Sequence, residues 1–120
     1  MHFMKTLACL LLLSLPAPAW AQTYLHMAGE HGRYWCAEWN ITIAPIYPKT
    51  AEGRTLPLKH SNIHDQTPNV IFTRPVHYTP AFIIIQDRKE AARIEGYPGE
   101  DFFWGMLVML IQRVCVPLHQ

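Results

Sequence analysis

Residues 79–86 read TPAFIIIQ. From Ala81 the run is β-branched and aromatic, with no charge before Asp87. Strict alternation would mark a strand with one wet face. A nearly continuous apolar run, bounded by a proline and a charged cluster, marks a central strand buried on both faces.

The flanking sequence supplies the neighbours such a strand requires. Downstream, Asp87-Arg88-Lys89-Glu90 reads as a charged hairpin turn leading into a strand over Ala91–Glu95. Gly96-Tyr97-Pro98-Gly99 breaks the chain again. A helix then begins near Glu100-Asp101, two acids suited to the positive end of its dipole. Its apolar stripe is Phe103, Met106, Leu107, Leu110 and Val114, and its uninterrupted apolar part, Phe102–Ile111, is a core helix rather than a membrane anchor. Upstream, Leu56–Ile63 is a second strand candidate, weakened by Pro57 near its start. Before it, Trp35, Trp39, Ile43 and Ile46 recur at helical spacing until Pro45 kinks or ends the helix. Thr23–Ala28 is the first strand. The order β, α, β, loop, β, β, α predicts an α/β sandwich, a mixed sheet of about four strands with flanking helices.

The chain opens with MHFMK, the apolar run Leu7–Leu15, and Pro16-Ala17-Pro18-Ala19-Trp20-Ala21. A basic residue, a short apolar region and a small-x-small ending describe a secretory signal peptide over 1–21, removed together with Cys9. The apolar run falls short of the roughly 20 residues of a membrane span, so no stable membrane anchor is expected after cleavage. The remaining 22–120 is enough for one small domain. Ten Lys and Arg face nine Asp and Glu, and Lys5 leaves with the signal, so the mature chain is formally neutral. That balance gives no electrostatic case for nucleic acid or an anionic membrane surface. Cys36 and Cys115 remain in a chain bound for an oxidising compartment, and the count allows one disulfide between them.

Cys36 stands in GEHGRYWCAEW, 29–39, with Arg33 three residues before it and Trp39 three after. Cys36 with Trp39 resembles the second cysteine of a Cys-x-x-Cys motif and the helix behind it, and Thr79-Pro80 resembles the loop that carries a cis-proline. With the element order, these features resemble the thioredoxin-fold family. Segments 44–54 (APIYPKTAEGR), 74–75 (RP) and 93–104 (RIEGYPGEDFFW) are similar, more closely, to the small secreted thioredoxin-like proteins that accompany bacterial sulfur-oxidation systems, some of them regulatory. The likeness spans roughly residues 24–114.

The resemblance implies a chemistry. In that family the first cysteine sits at a helix N-terminus, attacks a substrate disulfide as the thiolate, and the second cysteine resolves the mixed disulfide. The cis-proline loop offers backbone groups to an extended substrate segment. Carried over, Cys36 takes the resolving position, Arg33 occupies the nucleophile's place, Thr79 and Pro80 form the substrate edge, and Trp35 lies beside the thiol as a partner contact. The implied partners are a protein or glutathione in thiol or disulfide form, and no cofactor is expected. A dithiol cycle needs two sulfurs within bonding distance, and this motif offers one. A single-thiol or binding and regulatory role is therefore favoured over turnover. The alternative is an active thiol–disulfide oxidoreductase that uses Cys36, with or without Cys115.

Read from the residues alone, Cys36 has three accounts: a small buried hydrophobe, a thiol that forms mixed disulfides, or half of a bridge to Cys115. His26, His31 and His77 are candidates to join Cys36 in a copper or zinc site, against the plainer account of scattered solvated histidines. His60 and His64 fall in and after a strand, too far apart along it to share a metal. No metal site is assigned.

Overall fold

The computed structural model describes residues 23–65, 69–114 and 116. The signal segment 1–21 and Cys115 lie outside the described residues. Four strands, β1 (Tyr24–Gly29), β2 (Leu58–Asn62), β3 (Ala81–Gln86) and β4 (Lys89–Glu95), form one sheet in the spatial order β2-β1-β3-β4. The TPAFIIIQ stretch gives β3, an interior strand with Ala81–Ile85 buried. β1 and β2 run parallel, and the β1–β3 and β3–β4 pairs are antiparallel. A parallel pair needs a long crossover. Helix α1 (Tyr34–Thr42), a 3₁₀ turn (Tyr47–Lys49) and the short helix α2 (Ala51–Thr55) supply it, and α3 (Glu100–Arg113) follows β4.

The strands divide the core by alternation. Leu25 and Met27 of β1, Phe82 and Ile84 of β3 and Ile94 of β4 share one cluster with Trp39 and Ile43, and with Phe103, Leu107 and Ile111 of α3. Trp39, Phe82 and Phe103 form its centre, with ring centroids 4.8–5.8 Å apart. Each large side chain buried there contributes about 1.5–3 kcal/mol. Ala28, Ala81, Ile83 and Ile85 point to the other face. Among the described residues no helix covers that face; Ile63, Val70, Phe72 and Val76, from the segment between β2 and β3, pack against it.

Three local differences from the sequence expectation have physical causes. In α1 the buried positions are Cys36 and Trp39, whereas Trp35 is 52% exposed, as is 40% of Ile46 beyond the helix. Trp39 and Ile43 are buried as the apolar spacing predicts, and only the ends of the stripe shift by one residue, to Cys36 and Tyr47. After Thr42 the chain turns through Pro45 into the 3₁₀ turn and α2, elements that the hydrophobic pattern does not announce. They are held by Thr50, whose Oγ1 accepts the Gly53 amide at 3.0 Å and donates to the Tyr47 carbonyl at 2.7 Å. Only glycine fits at 53, because a Cβ there would lie 1.8 Å from the Tyr47 carbonyl oxygen. Finally, the hairpin turn is two residues long. Asp87 and Arg88 both take positive φ, 50° and 70°, as a tight primed turn requires, and Lys89 and Glu90 already belong to β4.

A bulge in β4 has the largest consequence for the site. Ile85 pairs with Glu90 and Ile84 with Ala92, so Ala91 is the extra residue. In a regular strand, residues three apart point to opposite faces. Across this bulge Glu90 and Arg93 point the same way, toward the helix-free face.

Candidate functional site

Cys36 occupies the third position of α1, whose N-cap is Arg33. It is 4% exposed and carries a free thiol. Its Sγ lies 3.8 Å from the point where a Cβ on Gly29 would stand, so the end of β1 closes directly over the sulfur. Gly29 also touches the Met27 thioether, 3.3 Å from the same point. The antiparallel register pairs Ala28 with Ala81. That pair closes the ladder: Gly29 is the last residue of β1, and Pro80 immediately precedes β3. The Thr79–Pro80 bond is cis. The fold thus brings Cys36, against Gly29, and Pro80 to the same end of the sheet.

Tyr97 completes that end. Gly96 donates its amide to the Pro80 carbonyl at 2.7 Å. The next residue, Tyr97, shares a 2.9 Å hydrogen bond with Thr42 of α1 and lies edge-on to Trp35, centroids 6.4 Å apart. The start of α1 and the cis-proline loop are therefore tied through one aromatic ring. Tyr34, Trp35 and Tyr78 remain well exposed around it.

Arg33 is directed elsewhere. It makes no side-chain cap for α1; its Nε donates to Glu30 at 3.1 Å, and its side chain is 62% exposed. Glu30 also meets His64 at 3.2 Å. Hydrogen bonds from His64 and Arg33 hold the Glu30 carboxyl below its ordinary pKa.

An open cavity of about 290 Å³ reaches Cys36 from the β2 side, lined by Met27, Glu30, His31, Asn40, His60 and Asn62 among others. His26 does not belong to it. It is 4% exposed on the opposite sheet face, bonded to Ser61 Oγ at 2.6 Å and edge-on to Phe72. Burial lowers its pKa, helped by Lys59 and His60. His26 is thus neither a partner for Cys36 nor a solvated surface histidine, whereas His31 and His77 are exposed. Among the described residues no group of three His, Cys, Asp or Glu side chains is placed to hold a metal.

The three segments that carry the sequence resemblance interlock in space. Tyr47 is fully buried, donates to the Leu56 carbonyl at 2.7 Å and stacks on Trp104 at 6.1 Å, joining 44–54 to 93–104. Burial also pushes the Tyr47 phenol upward, with Glu52 adding to it. Arg74 bonds Glu95 at 2.6 Å, joining 74–75 to 93–104. Sequence reasoning singled out Cys36, Arg33, Trp35, Thr79 and Pro80 but passed over Glu30, Tyr97, Glu90 and Arg93. Glu30 and Glu90 each left the same signal, an acid three residues before an arginine, and Arg93 and Tyr97 lie in the segment 93–104 that carries the resemblance.

No family model and no curated protein matches the chain. Among solved structures, the crystal structure of the periplasmic thioredoxin SoxS from Paracoccus pantotrophus, in its reduced form, matches with 43% identity and a TM-score of 0.74. The match covers 76% of this chain and 97% of that one. With that identity over nearly the whole of the relative, and with a thiol, a cis-proline and a four-stranded mixed sheet in the arrangement described, the chain belongs to the thioredoxin-like redox proteins, among the relatives of SoxS.

Proposed function

We propose that the mature chain, from Gln22 after loss of a signal peptide over 1–21, works in the periplasm as a single-thiol thioredoxin-like protein. It binds an extended partner segment along Thr79 and Pro80 and engages it through Cys36, with Trp35 as a flanking contact. Arg33 stands where a dithiol relative has its first cysteine, so the role is binding and regulation rather than dithiol turnover. The observation that supports this most is the position of Cys36: in the first turn of α1, lining the open cavity on the β2 side, and at the same sheet end as the cis-proline. The Cys36 thiolate attacks one sulfur of a partner disulfide, a new S–S bond forms, and the second partner sulfur leaves as a thiolate that takes up a proton. The cavity on the β2 side favours a second partner class, a small disulfide such as that of glutathione.

The test uses wild type, Cys36→Ser and Cys115→Ser. Each is exposed to glutathione disulfide and weighed intact, and each is assayed for insulin reduction with a dithiol reductant. We expect one glutathione adduct, absent from Cys36→Ser, and insulin reduction no faster than with the reductant alone. Fast insulin reduction that disappears in Cys115→Ser would replace the single-thiol reading with a dithiol one.

A further inference from the structure

The loop that ends in the cis-proline is anchored at both ends on one short stretch of β4. At its start, Arg93 donates to the Arg74 carbonyl at 2.9 Å and to the Pro75 carbonyl at 3.3 Å. Glu90 holds Arg93 through two bonds, 2.6 and 2.8 Å, and accepts the Thr73 amide at 3.0 Å. Arg74 in turn bonds Glu95. At the far end, Gly96 donates to Pro80. Only residues 76–79 lie between the anchors. The side chains of Glu90 and Arg93 are each 3% exposed, so water has little access to this ion pair, and Glu95 lies 3.9 Å from the same guanidinium. A planar guanidinium can hold a carboxylate on one edge and two carbonyls on another; a lysine cannot. The β4 bulge is what allows Glu90 and Arg93 to face each other.

We propose that Glu90 and Arg93 are positioning residues for partner recognition: the pair fixes the 75–80 loop against β4, so that the chain prefers an extended peptide disulfide to a small one. This rests on the reading that partners lie along Thr79 and Pro80. A small disulfide needs only the sulfur, whereas a peptide needs the loop backbone in register, and a misplacement near 1 Å at a reacting pair is costly.

The variant is the double replacement Glu90→Leu with Arg93→Met, which leaves no unpaired charge in the interior. Arg93→Lys is the companion, keeping the charge and losing the fork. Two probes are used: dithionitrobenzoate, and a short extended peptide whose cysteine carries a thionitrobenzoate cap. In both, Cys36 attacks the disulfide and coloured thionitrobenzoate leaves. Exchange of the Gly96 amide, which neither variant touches, reports the loop directly. We expect the double variant to keep most of the wild-type melting midpoint, with faster Gly96 exchange and a ratio of peptide to small-disulfide rate lowered about tenfold. Rates that stay unchanged, or that fall together, overturn the proposal. If wild type attacks neither probe, the proposed function fails on its own account. The clamp then stands or falls on Gly96 exchange, and an unchanged rate there overturns it.

Discussion

Two arginines in this chain meet a glutamate three residues before them, and both pairs flank the same site. Glu30–Arg33 lies on the loop before Cys36, and Glu90–Arg93 lies beneath the loop before Pro80. In the first the arginine side chain is 62% exposed; in the second both side chains are 3% exposed. Water competes for every bond of the first pair, so the pair is replaceable. The second has given up its hydration, and its remaining donors are spent on the Arg74 and Pro75 carbonyls. Spacing and residue type are the same, and burial alone separates a surface contact from a fixed part of the scaffold.

The largest effect should come from breaking the buried pair on one side. Arg93→Met leaves Glu90 charged and unpaired, and should lower stability by about 3–5 kcal/mol in urea unfolding. Glu90→Leu with Arg93→Met should recover most of that loss. If the single variant were as stable as wild type, the pair would have no structural part.

Acid should separate the pairs next. Burial raises the Glu90 pKa, but hydrogen bonds from Arg93 and Thr73 outweigh it and hold the folded value below the ordinary one. The unfolded value is about 4.3. The contribution is therefore present above that pH and lost as pH falls through the lower folded value. Stability measured against pH should lose that acid slope in the double variant; replacing Arg33 should remove only part of the separate, solvent-screened slope of Glu30, whose carboxyl His64 also holds low.

A smaller slope belongs to His26, whose folded pKa is depressed by burial first and by Lys59 and His60 second. A histidine held neutral contributes fully above its unfolded value of about 6.5 and loses that contribution as pH falls below it. His26→Gln should flatten the curve just below that value; an unaltered curve would mean that His26 is solvated. Smallest of all, Arg33→Ala should leave the unfolding midpoint in place at any salt concentration. A clear drop would show that the exposed pair shapes α1.

The sequence makes the strands and the motif legible to different degrees. AFIIIQ declares an interior strand because five apolar residues follow one another without a charge, and β3 has those limits, Ala81–Gln86. The final helix is equally plain, its acids at one end and Arg113 at the other. The buried ion pair was hidden, because Asp87-Arg88-Lys89-Glu90 reads as a solvated turn. Only the positive φ angles of Asp87 and Arg88, and a bulge at Ala91, place Glu90 inside. α2 was hidden for a related reason: it depends on a threonine cap and a glycine contact rather than on an apolar stripe. At the site, residue types pointed to Cys36 and Pro80, but their placement at one end of the sheet depends on register, which no single segment encodes.

The proposed role rests above all on Cys36 being a single reactive thiol. The most direct test is to isolate the mature protein from the periplasm without reductant, block free thiols, and weigh the intact chain with the modified cysteine mapped. We expect an added mass on Cys36, from a small thiol or a partner, released by reductant. Two free and slowly blocked cysteines would contradict it and make Cys36 packing alone. A mass lower by two hydrogens, with Cys36 bridged to Cys115, would contradict it equally.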